Sequence, residues 1–365
     1  MKKFLRISLC IILTLATCVC LFACDKGDGS NSDKSGMTVR KIDGEYIVKD
    51  YDEEKDANGA VVKELVISGE TVVGEGYTAD DVIKIGAGAF DGNDTLTKIV
   101  VTSDVSEIGA GAFKGMTALK ELVLPFVGAT ETGSVNEKRL FGYLFGTEAY
   151  DEGRAVTQIV DGTTAKDGDT SFTYYLPATL TTVEIKYEGA EGYSIPRYAF
   201  NGIDGAFRTV KLSGNIVAIE DAAFKNSAIK NLGAYNATTQ KHEIPATIKT
   251  IGNQAFYNCV NYKEVVFAEN STVESIGDEA FLGFKGTNFN FPASVKTLGA
   301  RAFATVGDKV SKLKKVNTLE HLTSIGVYAF YNAEDFESYR YAGYLNSAVD
   351  SATIFIGTIT TNPLV

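Results

Sequence analysis

A few residues of this chain are of types that could do chemistry. Cys259 with His242 or His321 offers a thiol and an imidazole, the pair that a nucleophilic hydrolase needs. Asp161, Asp167 and Asp169 offer oxygens to a calcium ion, but without the regular ligand spacing of a calcium loop. They read equally as a solvated loop. Two histidines are too few for a His-based metal site, and no Cys or His spacing supports zinc. Tyr339, Tyr341 and Tyr344 could stack on a sugar or a partner protein, or simply cover an exposed end. Gly86-Ala87-Gly88 has the small residues of a phosphate loop. Cys24 closes the stretch Leu21-Phe22-Ala23-Cys24, where a thiol could be lipidated.

Most of these candidates dissolve once the elements around them are read. The phrase apolar-Gly-x-x-Ala-Phe recurs along the chain. Its Gly copies end at Phe90, Phe113, Phe256, Phe281, Phe303 and Phe330. Two copies keep Ala-Phe and replace Gly, with Pro196 before Phe200 and Glu220 before Phe224. Successive Phe spacings are 23, 87, 24, 32, 25, 22 and 27. Five of the seven fall within 22–27, so the chain is a repeat protein, and a short fixed period means a solenoid. Gly86-Ala87-Gly88 is then one copy of the phrase and no phosphate loop. Cys259 sits three residues after its Phe, where other copies place Met116, Ile203 and Phe284, so it reads as a core residue. No catalytic, cofactor-binding or metal-binding residue is expected.

The copies act as a substitution series. Proline at the Gly slot excludes a requirement for positive φ, and Pro or an acid there suggests the first position of a short helical turn. Two residues after each Phe stands Gly92, Gly115, Gly202, Asn226, Asn258, Gly283, Thr305 or Asn332. Gly and Asn enter the left-handed region cheaply, which predicts the close of that turn. The Ala before each Phe is invariant within the chain, as expected where backbones approach closely. Between the turns lie runs such as Leu122-Val123-Leu124 and Val210-Lys211-Leu212, one short strand per unit. Strands so far apart in sequence pair in parallel. The fold class is therefore an α/β repeat solenoid, mostly strand and loop, with the Phe residues stacked into a spine. Val100, Val123, Glu184, Lys211, Val266 and Asn290 should point outward, and they form neither an aromatic stripe nor a field of one sign.

The phrase with its following apolar-x-x-apolar-x-apolar-Pro segment, best seen at 108–125 and 276–292, resembles the BspA-like leucine-rich repeat family of bacterial surface proteins. The resemblance spans about 83–335. It implies a leucine-rich-repeat solenoid on a secreted or surface-attached protein, often adhesive, with a ligand that varies between members.

In chain order, residues 1–23 read as a signal peptide: Lys2, Lys3 and Arg6, then the apolar run 7–23. Cys24 looks like the lipidation site of a lipoprotein. Residues 24–36 are a polar tether and 37–82 an N-terminal cap. Repeats follow at 83–126 and 179–335. Residues 127–178 between them are an insertion or a degenerate repeat. There Leu140–Phe145 is apolar enough for a hidden coil and about 147–171 reads as a protrusion. Residues 336–365 are a C-terminal cap.

Removing residues 1–23 takes three bases and no acid, so the net charge falls from −11 to −14. Such an acidic chain argues against nucleic acid as a partner. Of five cysteines, Cys10, Cys18 and Cys20 leave with the signal, so no intramolecular disulfide framework is expected. The resulting expectation is a non-enzymatic lipoprotein, held to the membrane through Cys24 on the bacterial cell surface, that binds an extracellular protein or glycan. The alternative is a structural or envelope-assembly repeat protein without a soluble ligand.

Overall fold

The computed structural model describes residues 32–34, 36–132, 137–160, 170–305, 312–317 and 321–331. Cys24, the signal segment, the tether up to residue 31, Asp161, Asp167, Asp169 and the Tyr339–Tyr344 cluster lie outside the described residues.

The coils stack in parallel, as the period predicts, but each regular coil contributes two strand lines instead of one. The first sheet joins Glu64–Ile67, Lys98–Val101, Glu121–Leu124, Thr182–Tyr187, Thr209–Gly214 and Asn231–Leu232, all parallel. A second parallel sheet runs through the apolar residue that opens each phrase from Ile195 onward, while Ile85 and Ile108 lie in a separate sheet with the N-terminal hairpin. The second sheet joins Tyr193–Ile195, Ile216–Ile219, Thr250–Ile251, Ser275–Ile276, Thr297–Leu298 and Ser324–Ile325. These runs are as short as two residues, too short for an alternating pattern to mark them in the sequence.

The Phe spine is continuous. Ring centroids stand 5.0 Å apart for Phe200–Phe224, 5.4 Å for Phe224–Phe256, 5.0 Å for Phe256–Phe281 and 5.3 Å for Phe281–Phe303. Interplanar angles of 6–18° keep these rings stacked. Tyr51, on the antiparallel N-terminal hairpin Met37–Ile42/Glu45–Tyr51, caps the spine 5.7 Å from Phe90. All eight alanines of the Ala-Phe pairs are 0% exposed.

The turn at each phrase is not helical. In the Phe256 coil, three overlapping bonds span three residues each: Ala255 N to Gly252 O (3.3 Å), Tyr257 N to Gln254 O (3.0 Å) and Cys259 N to Phe256 O (3.2 Å). Left-handed residues interrupt any helix. One is the Gly/Asn slot after Phe, with φ of 75° at Gly92 and 56° at Asn258. The other lies directly before Ala-Phe: Gly88, Gly111, Tyr198, Ala222, Gln254, Glu279, Arg301 and Tyr328, all with φ between 53° and 66°. Six of these eight are not glycine, and the bonds between coils account for them. The N–H groups of Gln254, Phe256 and Asn258 donate to Asp278, Ala280 and Leu282 of the next coil, at 2.7–2.8 Å. The carbonyls of Asn253, Ala255 and Tyr257 accept from Ala222, Phe224 and Asn226 of the previous one at 2.8 Å. Alternating left- and right-handed residues turn alternate donors toward one neighbour and alternate acceptors toward the other, while the donors between them close the turn itself. That regularity offsets the strain of the unfavourable φ.

The Gly slot has a different cause from helix initiation. A Cβ on Gly252 would lie 2.6 Å from Asp221 N, and one on Gly299 would lie 2.3 Å from Asp278 N. Glycine is needed there because one coil's backbone rests on the next. The following residue supplies a side-chain ladder: Asp221 Oδ1 accepts from Asn253 N (2.7 Å), Asn253 Oδ1 from Asp278 N (2.8 Å) and Asp278 Oδ1 from Ala300 N (2.7 Å). At the variant slot, Glu220 turns its carboxylate back to accept from Arg197 N at 2.8 Å.

Candidate functional site

Residues 140–146 complete a coil. Phe113 N donates to Leu144 O at 2.9 Å, the bond that an alanine carbonyl accepts in regular coils, and Phe145 lies 6.2 Å from Phe113. Phe141 faces the other way, with its N–H on Ala199 O (2.9 Å) and its ring 5.2 Å from Phe200. Two aromatics thus share one place in the spine, 5.3 Å apart. Gln158, fully buried, stitches this coil to the next. Its Oε1 accepts from Gly142 N (2.7 Å) and its Nε2 donates to Ala199 O (3.0 Å).

Gln158 belongs to an antiparallel hairpin, Gly153–Val160 with Thr170–Pro177, whose first strand lies inside the stretch 147–171 read as a protrusion and whose second runs beyond it. The base of that hairpin is core, with Val156, Gln158, Tyr174 and Leu176 at 0–2% exposure. A second hairpin, Ala234–Asn236 with Lys241–Glu243, has no counterpart in the sequence reading. The signal for it was the Phe224–Phe256 spacing of 32, about eight residues above its neighbours. This hairpin is held by Glu243, which accepts from Thr239 Oγ1 (2.6 Å) and Asn236 Nδ2 (3.0 Å). Those bonds hold its carboxyl below the usual range. Tyr235, 57% exposed, stands edge-on to His242.

The structure separates the residues that could have formed a thiol site. Cys259 is 3% exposed, its thiol donates to Phe224 O at 2.8 Å, and Ser227 Oγ lies 3.7 Å away. Burial pushes the thiol up to about 12. His242 Nδ1 contacts Gly233 O at 3.0 Å on the second hairpin, and His321 is exposed. Neither imidazole is a partner of the thiol. Among the described residues, no group of three or more His, Cys, Asp or Glu could hold a metal ion, and no helix is long and apolar enough to cross a membrane.

The outward strand residues form a mixed surface. Lys98 and Lys211 reach Glu121 from two sides (3.8 and 3.4 Å), and Ser213 Oγ donates to Glu184 (2.6 Å). Val123, in register between Val100 and Glu184, is covered to 6% exposure, contrary to the outward reading. A groove opens beyond Asn231–Leu232, where the first sheet breaks. A groove of about 800 Å³ separates residues 265–268 from 287–294, with Lys241 of the second hairpin on its rim.

The model of the BspA type leucine rich repeat region matches residues 78–134, 170–236 and 233–352, in six copies. The chain belongs to the BspA-type leucine-rich repeat family. No curated protein matches it. Among solved structures, similar ones include the pneumococcal vaccine antigen PcpA, at 17% identity over 87% of this chain and 71% of that one, with a TM-score of 0.29. A leucine rich cell surface protein from Faecalibacterium prausnitzii is 16% identical over 87% and 77% of the two chains, with a TM-score of 0.29. A leucine-rich repeat protein from Bacteroides ovatus is 18% identical over 85% and 66%, with a TM-score of 0.31. For this family member the phrase, the spine and the stacked turns are scaffold, and the two hairpins and the groove are departures from it.

Proposed function

We propose that this protein is a lipid-anchored, surface-exposed repeat scaffold that binds an extracellular protein or glycan and performs no catalysis. The observation that carries the reading is the groove of about 800 Å³ beside an inserted hairpin, in an array whose other inward positions serve the stack. In solenoids, insertions and irregularities concentrate on the binding face. The anchoring part rests on the sequence: a basic start, an apolar run and Leu21-Phe22-Ala23-Cys24. Stable attachment takes more than one acyl chain, which lipoprotein processing at Cys24 would supply. Fractionation tests it. Cys24→Ser should move the protein from the membrane to the soluble fraction. Retention of the variant in the membrane with residues 1–23 still attached would mean an uncleaved anchor instead. Pull-down with purified matrix proteins and a glycan array tests binding, and no capture on either would leave a structural scaffold.

A further inference from the structure

From Glu64–Ile67 to Asn231–Leu232 the first sheet is bonded edge to edge. Past the second hairpin it continues only as one bridge, Ile244 with Phe267. The next strand, Asn288–Phe289, pairs on its far side with Lys315–Val316. Among the described residues nothing pairs 265–267 with 288–290. The coils themselves have not parted, since Phe256 and Phe281 stack at 5.0 Å below the break. At its upstream end the two backbones touch: a Cβ on Gly286 would lie 2.2 Å from Lys263 O. The separation is therefore confined to the strand line.

The two facing edges carry unused main-chain groups. Ile244 N donates to Val266 O (2.8 Å) and Ile244 O accepts from Ala268 N (2.9 Å). Backbone groups alternate between the edges of an extended segment, so the N–H and C=O of Phe267 face the opposite way, into the groove. On the other bank, Phe291 turns both groups toward Asn317, with its N–H on Asn317 Oδ1 and its C=O accepting from Asn317 Nδ2, each at 2.8 Å. By the same alternation, those of Asn290 face the groove. Neither Phe267 nor Asn290 makes a main-chain hydrogen bond among the described residues. An unpaired strand edge is a template for another strand.

We infer that the groove takes an extended segment of a partner protein as an added strand, bonded through its main chain to Phe267 on one side and Asn290 on the other. Main-chain donors and acceptors on two facing banks match a polypeptide, which offers the same alternation, and a glycan offers none. Phe267 and Phe291, on the core-facing side of the two banks, supply an apolar floor for every second side chain of the guest. Lys263 is exposed on the rim with no carboxylate partner among the described residues, whereas Lys241 is held by Glu264. A guest strand with an acidic residue at that point is favoured. This site rests on the binding function proposed above and assigns it a place and a partner class.

The test is selection of a random linear peptide library on the full chain, followed by affinity measurement of the enriched peptides. They should be extended, poor in proline and alternately apolar. Methylating alternate amide nitrogens, which removes main-chain donors and leaves every side chain, should weaken binding about tenfold or more. Hydrogen exchange should slow at 264–268 and 287–291 on binding. Asn290→Ala should keep affinity, and Asn290→Pro, which deletes the donor, should lose it. No enrichment, equal binding of the methylated peptides, or protection elsewhere would overturn the inference. If Asn290→Pro does not fold, the methylated pair decides alone. If Asn290→Pro still captures a matrix protein that the full chain binds, this site is wrong and the broader binding reading stands. If the full chain captures none, that reading fails and the peptide arm still judges the groove.

Discussion

Cys259 is inert because of where the repeat puts it. Burial pushes its thiol well above the ordinary range, so the reactive thiolate is scarce near pH 8. A thiol reagent should label the native protein very slowly and the denatured protein at the rate of a free cysteine; fast native labelling would remove the core assignment. This position was legible, because the repeat aligned it with other apolar residues. The left-handed slot before Ala-Phe was not. It holds Gly, Tyr, Ala, Gln, Glu and Arg, so no residue type marks it, and only the bonds between coils explain it. The Gly slot was visible with the wrong cause. Gly252→Ala should cost about 1–3 kcal/mol, the range for overpacking, because its Cβ would meet backbone that cannot swing aside. Chemical denaturation measures it, and a neutral result would mean the coils have slack. Glu243 sets a pH response in the second hairpin. Its carboxyl is depressed by hydrogen bonds from Thr239 and Asn236. The stabilisation is therefore present above the ordinary carboxylate pKa and is lost as pH falls through the depressed value. Exchange of the 234–243 amides should quicken in acid beyond the intrinsic rate, and Glu243→Gln should flatten that response.

At the scale of elements, the coils were legible because each repeats a local pattern. The sheet break and the bonds that dock the first hairpin were not, because contacts such as Gln158 with Ala199 join residues far apart in sequence. The stretch 127–178 shows the boundary between the two. Leu140, Phe141, Leu144 and Phe145 declared a core by their apolarity, and each is at most 1% exposed. Nothing local announced that Gln158 would bond both that coil and the next. Exchange of residues 128–172 for a short Gly/Ser loop, which treats them as a dispensable protrusion, should therefore unfold the neighbouring coils. Gln158→Leu is the finer probe. It strands the Gly142 N–H in the core, at roughly 1–3 kcal/mol for a buried group left unpaired, and takes one of two donors from the Ala199 carbonyl, which keeps the Phe141 N–H. Phe256→Ala should cost ~3–5 kcal/mol as a cavity in mid-spine. Thermal melting by circular dichroism reads both, and a wild-type melting point for either would refute the packing that motivates it.

At the scale of the whole molecule, the spine makes one scaffold of two arrays. Each coil touches only its neighbours, so cooperativity must pass through every link. The weakest place for it to fail is the shared position of Phe141 and Phe145, where the stack changes from one ring to two and the angle opens to 52°. An acidic, extended scaffold of this kind presents its irregular surfaces outward without further folding. That suits the binding role proposed above, in which a partner would be met by the groove. The most direct measurement is hydrogen exchange, residue by residue, on Phe141→Ala/Phe145→Ala against the wild type. Loss of protection on both sides, in the turns at Phe113 and at Phe200, is the expected result. Loss on one side only, or on neither, would contradict a continuous spine and split the protein into two independent arrays.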